Sequence, residues 1–315
     1  MPNRATLMTG RMPSVHGVRH NGIPLSQRAT TFVDRLRLAG YATALIGKGH
    51  LQNMTGKGPV WPPAGSDPSQ GEAWTAEPGN YDQEWGPLWR NDPTHDLQTP
   101  FYGFQRVDLA VDHGDQVWGH YERWLARTHP EVRRQWGPEH ALPAPGFVLT
   151  EHHQAWRTRV PEECSTTAYL GDQTIRQLRE HAAGKQPFFI QCSFPDPHHP
   201  FTPHGKYWSM YRPEDVALPH SFHASAAPDH RPAPHVAWLY WQRDQRKAVK
   251  HTPAIFACTE REAREAIALN YGSISHIDAT IGRVLQTLRQ TGLDENTVVI
   301  FTSCLLYTSP SPRDS

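Results

Sequence analysis

The chain has 315 residues, 31 basic and 31 acidic side chains, and a formal net charge of zero. That length suffices for one large α/β domain or two modest ones, and the neutral balance leaves no basic footprint for a nucleic-acid partner. No apolar run reaches the roughly 20 residues of a membrane span, and no signal-peptide pattern opens the chain, so neither nucleic acid nor membrane is an expected partner. Cysteines at 164, 192, 258 and 304 lack metal-type spacing, and the first three read as small buried thiols. The 20 His, 29 Pro and 11 Trp predict stiff, aromatic-rich loops, which is where binding chemistry usually sits.

Residues 2–10 read as a loop entering a short helix, with Pro2 in the first turn and Gly10 as terminator. Residues 11–29 are turn-rich. Phe32, Val33, Leu36 and Ala39 then fall at helical spacing, Gly40 stops the run, and residues 41–46 read as a buried strand. A helix, a glycine, a strand and a polar loop make one unit of a layered α/β fold, with function expected at the strand's carboxyl end. Residues 52–164 lack period apart from a weak helix at 118–128 and predict lids or specificity loops.

Residues 165–183 predict a helix with a Ser/Thr start, and residues 187–194 a second strand. Residues 201–257 again read as loops. Ile267, Tyr271, Ile274, Ile277, Ile281, Val284 and Leu288 repeat at helical intervals across 259–289, and residues 297–302 read as a third strand. One sheet with helices on both faces follows, with three strand exits converging on one edge.

The chemistry-bearing side chains cluster at those exits. Arg4 lies in the short first helix, and its permanently charged fork suits an oxyanion. Lys48 and His50, two apart after the first strand, can both reach a site above the sheet edge. Pro195-Asp-Pro-His-His-Pro200 leaves the second strand, where prolines stiffen the backbone that carries His198 and His199. Adjacent histidines rarely face one ion, so His198 reads as a proton-transfer or anion-contact group.

Five motifs then stand in register: Pro2-x-Arg4 with Thr9-Gly10, Gly47-Lys48-x-His50, Pro197-His198-x-Pro200, Ile277-Asp278 with Ile281-Gly282, and residues 298–303. Together they resemble the sulfatase family of the alkaline-phosphatase superfamily, over essentially all of residues 2–303. The passage at 101–107 with His113-Gly-Asp115 also looks like bacterial sulfatases of this type. The resemblance implies an alkaline-phosphatase-like α/β fold with a central, largely parallel sheet, helices on both faces and long loop insertions. It implies sulfuric ester hydrolysis with a formylglycine nucleophile, a Ca²⁺ or Mg²⁺ ion, and a formylglycine-generating enzyme for maturation.

By the same resemblance, Arg4 orients the nucleophile, Lys48 contacts the sulfate, His50 assists proton removal and His198 meets the leaving oxygen. The substrate is a small sulfate ester or sulfated sugar, with His113 and His199 as candidate contacts. The family's nucleophile falls one position before Met1. Its metal ligands fall before Met1 and at Cys304 and Leu305, within residues 304–315, which resemble a translated sequencing adapter. The chain is therefore expected to be an inactive fragment cut at both ends, with 1–303 its native portion. Gly49 departs from the family, many of whose members carry a bulky residue there. Phosphonate monoester or phosphodiester hydrolysis, and non-catalytic binding of a sulfated glycan, are the alternatives.

Overall fold

The computed structural model describes residues 1–54, 78–222, 233–248, 250 and 256–303. The expectations for 304–315 lie outside the described residues. Nine α-helices among the described residues run in the order α1 (Pro2–Thr9), α2 (Pro13–His16), α3 (Phe32–Leu38), α4 (Gly86–Asn91), α5 (His120–Thr128), α6 (Pro130–Arg133), α7 (Thr166–Ala182), α8 (Pro234–Asp244) and α9 (Glu260–Gln290). Strands β1 (Ala42–Gly47), β2 (Arg106–Val111), β3 (Trp118–Gly119) and β4 (Phe188–Ser193) form one sheet of order β3-β2-β1-β4.

The helices start where the sequence supplies caps. Thr31 and Asp34 form a capping box at α3, and Thr259 and Glu262 another at α9. The Ser165 hydroxyl accepts from the Ala168 N–H at the start of α7, and Gly10 closes α1 in the left-handed conformation.

β1 is the hub of the sheet. It pairs in parallel with β2, Gly47 opposite Leu109, and with β4, Gly47 opposite Ser193. Consecutive side chains on β1 face opposite layers, as the strand's period of two requires. Leu45 joins a cluster with Met8 of α1 and Val33 of α3, whereas Ile46 joins Tyr121 of α5 and Leu170 of α7. Both are fully buried, each contributing about 1.5–3 kcal/mol. Helices therefore cover both faces, and α9 packs along α7. No described helix is long and apolar enough to cross a membrane.

Three expectations are corrected. Besides the helix expected at 118–128, which is α5, the stretch 52–164 carries α4, α6 and β2, the sheet's second parallel strand. Arg106 and Asp108 break the apolar run of β2, and they form an ion pair at 3.5 Å on its half-exposed start. Residues 201–257 likewise contain α8. Residues 297–302, expected as the third strand, join no strand of the sheet. Val298, Ile300 and Phe301 are 79–86% exposed. Their β-branched composition favours an extended chain, but a strand also needs a partner backbone, and no described residue supplies one.

Candidate active site

The three exits that converge belong to β1, β2 and β4, so β2 takes the place expected of residues 297–302. At Gly47, where φ is +110°, an added Cβ would stand 2.1 Å from the Ser193 carbonyl oxygen. Only glycine allows the β1 and β4 exits to lie this close.

Arg4 reaches across from α1. Its Nη1 donates to the carbonyl oxygens of Lys48 (2.7 Å) and Gly49 (3.3 Å) and to Ser193 Oγ (3.0 Å). One guanidinium thus ties the first helix to both strand exits.

Lys48, buried by the loops around it, approaches His113 at the β2 exit, with Nζ 2.7 Å from Nε2. An ammonium can only donate, so His113 Nε2 is the acceptor and its proton sits on Nδ1. The His113 ring stacks on His198, centroids 3.7 Å apart at 18°, and His198 stacks on His199 at 4.5 Å and 19°. His198 Nδ1 lies 2.5 Å from the His199 carbonyl oxygen, which places its proton on Nδ1 and leaves Nε2 as a lone pair.

The imidazoles are held neutral. Burial, followed by the neighbouring His113, takes His198 down to about 3. Burial also lowers His113, and burial then Lys48 lower His199. His50 is pushed well below the ordinary histidine value, first by burial and then by Lys48. Its Nε2 is buried with no hydrogen-bond partner among the described residues. All six sequence-predicted residues, Arg4, Lys48, His50, His113, His198 and His199, therefore gather at one end of the sheet. They offer fixed cationic donors beside neutral rings, an arrangement suited to an oxyanion and to proton exchange with it.

Two carboxylates at the site carry no local sequence signal. Asp196, half-buried just beyond β4, accepts from Thr167 Oγ1 at 3.3 Å and is raised to about 6, chiefly by desolvation. Glu84 is fully buried behind Gly49. Its oxygens accept the N–H groups of His50 (2.5 Å), Leu51 (2.7 Å) and Gln52 (2.6 Å), and burial raises its pKa. The Gly49 departure now has a reason: a Cβ there would stand 2.4 Å from Glu84 Oε1.

No group of three or more His, Cys, Asp or Glu that could hold an ion occurs among the described residues. The described residues do not fit a resident metal.

A layered α/β sheet with cationic and imidazole side chains gathered at its strand exits is an architecture of the alkaline-phosphatase type. The chain belongs to the sulfatase family, which it matches over residues 1–303. It is 27% identical to a multifunctional alkaline phosphatase superfamily protein of Trinickia caryophylli, covering 96% of this chain and 52% of that protein. It is 24% identical to a choline-sulfatase of Rhizobium meliloti, covering 96% and 47%. A phosphonate monoester hydrolase of Agrobacterium radiobacter superposes with a TM-score of 0.57 at 25% identity, covering 92% of this chain and 50% of that one. The chain thus spans about half the length of the relatives it matches.

Proposed function

We propose that this chain is the part of a sulfuric ester hydrolase that receives the sulfate group, the substrate being a small sulfate ester or sulfated sugar. The observation that carries the reading is the Lys48–His113–His198 array at the exits of three parallel strands, inside a chain of the sulfatase family. Lys48 supplies the fixed positive charge for the anion's oxygens. Arg4 holds the Lys48 and Gly49 carbonyls, so the ammonium sits on a braced turn.

His50 and His198, neutral at rest, are the groups able to take up a proton when an anion arrives. A nearby negative charge raises an imidazole's pKa, so the bound sulfate itself arms His198 to donate from Nε2 toward the leaving oxygen. His113 keeps Lys48 oriented and, with His199, forms the ring wall against which the alcohol part packs.

A formylglycine nucleophile supplied from ahead of Met1 and a divalent cation remain expectations of the family, and no step here is routed through either. Residues 1–303 are proposed as the native catalytic portion, which binds the anion and does not by itself turn over. The tests are sulfate titration of the 315-residue chain by calorimetry, and aryl sulfate hydrolysis by a gene extended on both sides. Absence of sulfate binding by both forms would overturn the reading. The likeness to the phosphonate monoester hydrolase supports a second reading; faster cleavage of an aryl phosphonate than of the aryl sulfate would select it. A sulfated-glycan binder without turnover would bind in the extended form and cleave neither.

A further inference from the structure

The turn that carries Lys48 and His50 is anchored from behind by a carboxylate that lies outside the five motifs of the sequence. His50 has a left-handed backbone, with φ of 56°, a conformation that costs a residue other than glycine about 1 kcal/mol or more. Three consecutive N–H groups, from His50 to Gln52, point at Glu84, whose two oxygens absorb all of them. A run of backbone donors around one anion is a nest, and here the resident anion is a side chain of the protein.

Glu84 is itself held by the loop that bears it. The Gln83 N–H donates to Gln52 Oε1 at 3.0 Å, and Gln52 Nε2 returns to the Asn80 carbonyl at 3.0 Å. The nest, the loop and the left-handed residue form one closed network, with Gly49 leaving the only room for the carboxylate.

We propose that Glu84 is a positioning residue: acting through the His50, Leu51 and Gln52 amides, it sets the turn that aims Lys48 and His50 at the anion. This rests on the sulfate-receiving reading of the site. Glutamine at this position presents an amide N–H₂ to backbone donors and cannot replace the second oxygen. Alanine at Gly49 drives a methyl against Oε1.

The test is residue-resolved amide hydrogen exchange and histidine NMR titration of the full chain, unmodified and as Glu84→Gln and Gly49→Ala, with sulfate affinity measured alongside. In the unmodified chain the amides of residues 50–52 should exchange as slowly as those of β1; unprotected exchange there overturns the proposal without any variant having to fold. In both variants exchange at 50–52 should rise at least tenfold while β1 and α7 keep their protection. The His50 titration should move toward the ordinary histidine value, and sulfate affinity should fall about tenfold.

Faster exchange with unchanged sulfate affinity would mean that Glu84 only stabilises the loop, and would also overturn the proposal. If neither the unmodified chain nor its extended form binds sulfate, the functional reading fails on its own. The shift or constancy of the His50 titration then decides for or against Glu84.

Discussion

Lys48 Nζ lies 2.7 Å from His113 Nε2, a hydrogen bond that spans the exits of two adjacent parallel strands. The two residues are 65 positions apart in the chain, so the bond is a product of the sheet's register. It also fixes which protonation state His113 can hold. An imidazolium has no lone pair to offer an ammonium, so the pair stands only while His113 is neutral, which burial ensures.

His113→Phe keeps the ring and its stacking on His198 but removes the acceptor. A buried donor that loses a partner costs about 1–3 kcal/mol, and the lower end applies because Lys48 has further contacts. The expected result is a lower urea midpoint with an unchanged slope, together with weaker sulfate binding. Unchanged values for both would show the Lys48–His113 bond to be incidental.

The pH dependence of stability follows from the buried imidazoles. His198 and His204 are lowered to about 3 and His276 to about 4, burial being the first cause in each. A histidine whose folded value lies below the unfolded 6.5 favours the fold fully above pH 6.5. That contribution is lost as the pH falls toward the folded value. Asp196, raised to about 6, works in the opposite direction: its cost, present above pH 6, is relieved as the pH falls.

The lowered imidazoles, which also include His50, His113 and His199, outnumber the raised carboxyls Asp196, Glu84 and Asp115, so Tm should drop between pH 6.5 and 4. His204 is the cleanest probe, because it is almost fully buried and neither ring nitrogen has a partner among the described residues. His204→Leu should raise Tm at neutral pH and move the acid midpoint lower in circular dichroism melts. An unshifted acid midpoint would remove His204 from this account.

Residues 297–302 define a third expectation. Val298, Val299, Ile300 and Phe301 are exposed, and β4 is an edge strand among the described residues. Exposed β-prone segments and open edges pair between molecules. The chain should therefore self-associate as its concentration rises, and Ile300→Lys should suppress this in sedimentation velocity. Equal association by the variant would place the contact elsewhere.

How far the sequence discloses this molecule depends on the range of the interaction. The caps at Thr31, Ser165 and Thr259 are local, and they mark their helices in the sequence as they do in the structure. Lys48, His50 and His198 were legible because each follows a short apolar run that reads as a strand. β2 was not, since Arg106 and Asp108 interrupt its apolar pattern and its pairing with β1 is non-local.

Residues 297–302 illustrate the converse, a strong local preference for extended structure without a described partner. Glu84 could not be found from its neighbours. It lies 34 positions from His50, in a passage that also offers Asp82, and nothing in that passage says which carboxylate turns inward. Gly49, read as a departure from a family pattern, was the nearest visible trace of it.

The stacked rings of His113, His198 and His199 have a consequence for what the pocket accepts. At neutral pH they act as an uncharged reserve: they draw in no chloride and repel no cation while the site is empty. In the proposed reading an arriving anion calls up a positive charge on His198, which takes its proton from solvent, while His113 stays neutral to hold Lys48. If the chain receives an oxyanion as proposed, capture is thus also an uptake of acid, and release a discharge of it.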